Sequence, residues 1–198
     1  MIVLGEQFAT AVHYASTVHA SQMRKGTQVP YMAHLLGVAS LVLEAGGDEE
    51  LAIAGLLHDA AEDHGGEVRL ADIGDRFGQR VASIVRDCSD SLSADPLDKA
   101  DWETRKREHL AHIPDMSDDA LLVWMADKAH NARSIVTDLQ ASGLQAMSRF
   151  NAPADRILWY YRANLEAGRD RQMPDAVMLP LESAVTELIA WLASSQSG

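Results

Sequence analysis

Asp48-Glu49-Glu50-Leu51-Ala52-Ile53-Ala54-Gly55-Leu56-Leu57-His58-Asp59-Ala60-Ala61-Glu62-Asp63 runs from an acidic start through unbroken apolar residues into four polar side chains. Asp48 is a good N-cap because its carboxylate can accept from a free amide of the first turn. The stretch therefore predicts one buried helix over residues 48–63, ended by Gly65-Gly66. Residues four apart share a helical face, so Glu62 should stand one turn beyond His58, and Asp63 one turn beyond Asp59. In such a helix His58 and Asp59 diverge by about 100°, which suits flanking one cation and is too wide for a simple hydrogen-bonded pair. A metal would explain this meeting of residue types, whereas an exposed acidic helix end is the bland alternative. The hexapeptide alone favours neither.

Helical spacing recurs on both sides. Residues 6–22 repeat Phe8, Val12 and Ala15; a basic loop over 21–31 carries Arg24, Lys25, Gly26 and Pro30; and a helix over 33–45 has His34 in its first turn and stops at Gly46-Gly47. Short helices are expected over 70–77 and 79–88, then a loop over 89–96. Asp98 can cap a helix closed by Pro114, Ser117 caps one over 118–140, Pro153 opens one through Glu166, and an amphipathic segment covers 181–192. No stretch alternates with period two. The fold class is all-α: a single multi-helix domain over 1–198, its motifs within about 9–138 and C-terminal helices over about 153–193.

Composition narrows the function. With 47% apolar and 23% charged residues in a chain of 198, the sequence reads as globular. A formal net charge of −12 disfavours nonspecific nucleic-acid or acidic-membrane binding, so an anionic substrate would need a local basic pocket. No apolar run approaching the ~20 residues of a membrane span is read, nor a basic-then-apolar leader, and a cytoplasmic location is expected. Cys88 is the single cysteine, which excludes an internal disulfide and a cysteine-rich zinc site and leaves His and carboxylate as metal ligands.

His34 and Asp127 fit that chemistry. Asp127 follows Val123-Trp124-Met125-Ala126, and a carboxylate in such surroundings must be paired, hydrogen-bonded or metal-bound. His34, His58, Asp59 and Asp127 together would offer two imidazoles and two carboxylates, a donor set suited to Mn2+, Fe2+ or Zn2+.

Arg24-Lys25-Gly26-Thr27, Pro30-Tyr31 followed by His34, His58-Asp59 with Glu62-Asp63, and Ala126-Asp127-Lys128 with Asn131 and Arg133 resemble, in this order, the hydrolase domain of RelA/SpoT homologues within the HD superfamily. The resemblance covers roughly residues 9–138. It implies that His34, His58, Asp59 and Asp127 ligate one divalent ion, Mn2+ in that family, and that Glu62 and Asp63 handle water and leaving group. It implies that Arg24 and Lys25 hold phosphates or base, and that Asn131 and Arg133 contact the nucleoside. The implied reaction removes the 3′-pyrophosphate of (p)ppGpp, giving GDP or GTP and pyrophosphate. With no room in the chain for a synthetase domain, a stand-alone small alarmone hydrolase is expected.

Gln28-Val29, Leu35, His64 and Arg86-Asp87-Cys88-Ser89-Asp90 depart from the family pattern. They leave the metal chemistry intact and keep three other readings in view: an adenosine alarmone as substrate, an HD phosphatase acting on NADPH or a nucleoside monophosphate, and a non-catalytic alarmone-binding module. The last would need neither Glu62-Asp63 nor a full ligand set. Arg105, Lys106, Arg149 and Arg156 are further candidate phosphate contacts, with a solvated helix face as the alternative for each. His130 should fall off the metal face, His109 reads as an ordinary histidine, and Trp102, Trp124, Tyr160 and Tyr161 read as packing residues.

Overall fold

The computed structural model describes residues 2–92 and 100–194. Among them no strand forms, and the helices are α1 (Glu6–Val18), α2 (Met32–Glu44), α3 (Glu49–Leu57), α4 (Ala60–Asp63), α5 (Gly66–Phe77), α6 (Gln79–Cys88), α7 (Trp102–His112), α8 (Asp118–Ser142), α9 (Ala154–Asp170) and α10 (Asp175–Ser194). Every residue from Leu51 to Leu57 is buried, so α3 is enclosed all round, by α1, α2, α6 and α8. Gly55 lets α2 approach: a Cβ there would lie 3.3 Å from the Ala39 Cα. The second central helix is α8, buried without interruption from Ala120 to His130. The buried apolar residues of all these helices form one cluster.

Capping follows the sequence closely. Asp48 Oδ1 accepts from Leu51 N–H at 2.9 Å, and Ser117 Oγ accepts from Ala120 N–H at 3.1 Å. Asp98 and the second half of the expected 89–96 loop lie outside the described residues, and Asp101 caps α7 through Glu103 and Thr104 N–H. The helix expected over 48–63 is broken. His58 Nδ1 bonds Gly55 O at 2.9 Å, the carbonyl that Asp59 N–H would take in a continuing helix, and α4 starts afresh with Asp59 O accepting from Asp63 N–H.

α1 also ends early, at Val18, because the chain turns into a narrow loop closed by a bridge between Met23 and Pro30. Arg24 N–H donates to Val29 O at 2.8 Å, Tyr31 N–H donates to Gln22 O at 2.9 Å, and Gly26 takes φ +71°. α10 starts six residues ahead of the expected 181, since Pro180 forfeits only one helical hydrogen bond while Val177, Met178 and Leu181 are buried. By length and apolarity alone α10 could cross a membrane, contrary to the reading that no such run exists. Here its buried side packs along α8 and α9, and its outer side carries Glu182, bonded to Arg169, and Glu187, bonded to Gln140.

Candidate active site

Three elements deliver four side chains to one point. His34 projects from the first turn of α2, His58 and Asp59 from the break after α3, and Asp127 from the middle of α8. His34 Nε2 lies 3.2 Å from Asp127 Oδ1 and 3.7 Å from Asp59 Oδ2; His58 Nε2 lies 3.0 Å from Asp59 Oδ2 and 3.7 Å from Asp127 Oδ1. His58 Nε2 and Asp59 Oδ2 thus stand close without forming a simple hydrogen-bonded pair, as two groups flanking one point. Both Nε2 atoms are buried without a hydrogen bond of acceptable geometry. Ligands bound at ~2.0–2.2 Å to one ion stand roughly 3–3.5 Å apart; two of these separations lie in that range and two, at 3.7 Å, just beyond it. His34, His58 and Asp59 could hold a divalent cation, and Asp127 Oδ1 stands beside the two imidazoles.

The backing of each ligand sets its lone pair. His58 Nδ1–H donates to Gly55 O, leaving Nε2 as the free donor atom. His34 Nδ1 faces His130 Nδ1 at 3.0 Å. Burial, together with His34, Arg24 and Arg133, lowers His130 to about 3, so it stays neutral and can accept from His34. Room for that ring comes from Gly37, where a Cβ would meet it at 2.2 Å. Asp59 Oδ2 accepts from Tyr31 O–H at 2.5 Å. Asp127 accepts from Lys128 Nζ and Asn131 Nδ2, both at 2.5 Å, and Lys128 lies 3.4 Å from the Trp124 ring centre. Burial opposes charge on His58, yet Asp59 and Asp127 raise its proton affinity well above the ordinary range. The negative field that would hold that proton would equally hold a divalent cation.

Glu62 and Asp63 diverge. Glu62 Oε2 accepts from Asp90 N–H at 2.7 Å, and burial, with the charges of Asp90 and Asp59, pushes its carboxyl up to about 7. Asp63 Oδ2 accepts from Gln22 Nε2 at 2.8 Å, and burial followed by Asp59 raises it too. Gln22 Oε1 in turn meets His19 Nδ1 at 2.6 Å and His64 Nε2 at 2.7 Å. Asp90, which sequence reasoning did not assign, also binds Lys106, Arg105 at 3.1 Å and His109 at 3.0 Å.

A cavity of about 560 Å³ opens beside His34, within the size range of ligand sites. Arg24, Lys25, Lys106, Lys128, Arg133 and Arg149 bring their cations to it, the local basic pocket that a chain of net charge −12 needs for an anionic substrate. Arg105 and Arg156 are not among its lining residues; they pair with Asp90 and, at 3.5 Å, Glu103. Trp102, Tyr160 and Tyr161, expected as packing residues, face it. Asn131 ties the ligand cluster and the cavity together: its Nδ2 holds Asp127 while its Oδ1 accepts from Arg24 at 2.9 Å. Lys25 donates to Asn151 at 3.2 Å. Histidine and aspartate pairs drawn from separate buried helices and opening on a cationic cavity are the mark of an HD-type site.

The HD domain family model matches residues 11–149, and the chain belongs to this family. It is 35% identical over 128 residues to guanosine-3′,5′-bis(diphosphate) 3′-pyrophosphohydrolase MESH1 of Xenopus tropicalis, covering 63% of this chain and 67% of that one. It is 32% identical over 141 residues to a probable guanosine-3′,5′-bis(diphosphate) 3′-pyrophosphohydrolase of Synechocystis, covering 66% of this chain and 18% of that one. The match thus spans about two thirds of the animal relative and under a fifth of the cyanobacterial one. Among solved structures, one described as a metazoan ortholog of SpoT that hydrolyzes ppGpp superposes with a TM-score of 0.74 at 25% identity, covering 94% of this chain and 98% of that one. A Listeria monocytogenes protein superposes with a TM-score of 0.63 at 28% identity, covering 80% of this chain and 97% of that one.

Proposed function

We propose that this chain is a metal-dependent phosphohydrolase that removes the 3′-pyrophosphate of (p)ppGpp-type guanosine alarmones. The observation that carries the reading is the convergence of His34, His58, Asp59 and Asp127 at ion-ligand spacing beside a cavity of six cations. These four residues would hold one divalent ion, Mn2+ in this reading, which when bound supplies activation of water and screening of phosphoryl charge. The named animal relatives and the solved ppGpp hydrolase support the choice of substrate.

The chain's own residues account for the remaining work. Hydrolysis joins a water oxygen to the phosphorus next to the ribose, breaks that phosphorus from the 3′ oxygen, and leaves that oxygen in need of a proton. Glu62, half-buried four residues beyond His58 and beside Asp90, is the carboxyl placed to carry such a proton. Asp63, held by Gln22, orients water on the other side of the acidic pair. Arg24 and Lys25, with Lys106 and Lys128, offer donors to the phosphate oxygens, Arg in the planar fork that suits them.

The test is a panel of guanosine and adenosine 3′-pyrophosphates, NADPH and nucleoside monophosphates with Mn2+. Release of intact pyrophosphate from the guanosine compounds is expected. Orthophosphate as the product, with faster turnover of NADPH, moves the protein to the phosphatase reading.

A further inference from the structure

Asp127, Asn131, Ser134 and Asp138 lie on one stripe of α8, since eleven residues make about three turns. The stripe runs ~16 Å from the ligand cluster to Asp138, about the long dimension of a nucleoside 3′-diphosphate. Asn131, Ser134 and Asp138 all face the cavity, and Asp138 is the only carboxylate among its described lining residues. It is paired with Arg149, which reaches back from the turn after α8 and also lines the cavity. The Arg149 guanidinium is 4.8 Å from the Phe150 ring centre, and Gly26 lets the loop between α1 and α2 close over its stem, since a Cβ there would lie 2.9 Å from the Arg149 Cβ.

We propose that Asp138 and Arg149 form the base-reading end of the cavity and select guanine over adenine. The proposal rests on the nucleotide reading above. Asp138 offsets the charge of Arg149 at its end of the cavity, while Lys128, next to Asp127, and Lys106 keep cations for the phosphates toward the ligand cluster. Ile157, Tyr161 and Phe150 supply an apolar wall for a purine ring between the two. Asp138 is one-third exposed (33%), has its Oδ2 on Arg149, and keeps the other oxygen without a partner among the described residues. A pair that only tied down the turn would not need to leave a carboxylate oxygen open on the cavity wall. Guanine offers what this pair lacks: N–H donors for the carboxylate and the O6 and N7 acceptors that Arg reads. Adenine sets the lone pair of its unprotonated N1 where guanine has an N–H.

The test compares wild type with Asp138→Asn and Asp138→Ala in the full chain, by kcat/KM for guanosine and adenosine 3′,5′-bis(diphosphates) and by calorimetric binding of GDP and ADP. The wild type should favour guanine. In Asp138→Asn the guanosine kcat/KM should fall about ten-fold, mainly through KM, while the adenosine value holds or rises. Arg149→Gln should lower the same ratio, which serves if an Asp138 variant folds poorly. An unchanged ratio, equal losses for both bases, or a wild type that does not discriminate overturns the proposal. If the wild type releases no pyrophosphate from either compound, the proposed reaction falls, and the binding arm still decides: a GDP preference that Asp138→Asn abolishes upholds the base-reading pair, and a preference it leaves intact removes it.

Discussion

Gly37→Ala tests whether the histidine behind His34 matters. In an open helix position this change should stabilise by ~1 kcal/mol through helix propensity. Here the new methyl would lie 2.2 Å from two atoms of the His130 ring, which is fixed on buried α8 and meets His34 at 3.0 Å. Overpacking of this kind costs ~1–3 kcal/mol, so the sign of the stability change should invert. Displacing His130 also frees the His34 ring to rotate, and loss of such a partner typically costs ~10–100-fold in metal affinity. The assay is Mn2+ titration and thermal unfolding of Gly37→Ala, His130→Ala and the double variant. Because His130→Ala vacates the space, the double variant should bind Mn2+ no worse than His130→Ala alone. Additive losses, or native affinity in Gly37→Ala, would refute the idea that the methyl acts through His130.

Glu62→Gln should keep the metal and lower kcat ~10²–10⁴-fold, measured by turnover with metal content checked in parallel. In metal-stripped protein Glu62 rises from 4.5 to about 7, so the folded state binds the extra proton in that window. Stability should therefore fall as pH climbs from about 4.5 to about 7, and Glu62→Gln should flatten that slope in denaturant titrations. Asp127→Asn should abolish metal binding and also destabilise the metal-free fold by ~3–5 kcal/mol, because Lys128, only 8% exposed, is left charged without its partner. Tyr31→Phe removes the hydroxyl on Asp59 and should weaken Mn2+ binding about ten-fold by titration; unchanged binding would mean that the 2.5 Å contact does not position the ligand.

Much of this arrangement is legible in the chain. A histidine or aspartate inside an apolar run has few physical excuses, which is why His34 and Asp127 stand out, and capping at Asp48 and Ser117 follows from short-range chemistry. The break after Leu57 is not legible, since a run of helix formers reads as continuous and the competing bond from His58 to Gly55 O is a local choice that packing decides. The partners behind the ligands are hidden for another reason. His130 is 96 residues from His34, and Arg24 is 107 from Asn131, so only the packing of α2 and its preceding loop on α8 brings them together. Asp90 stands in the segment that departs from the family pattern, with nothing local to mark its role; its meaning lies in the half-buried Lys106 and buried His109 that converge on it.

The strut from Asp127 through Asn131 to Arg24 also ties two equilibria together. One amide side chain spans Asp127 at the candidate ion site and Arg24 on the cavity wall, so a rotation that improves its grip on one must alter its hold on the other. Occupancy of the cation site and occupancy of the cavity are then linked variables. By thermodynamic reciprocity, whatever factor the ion contributes to nucleotide affinity, the nucleotide returns to the ion. If ion and nucleotide bind as proposed, Asn131 would couple the two, with a strength set by the stiffness of its two hydrogen bonds.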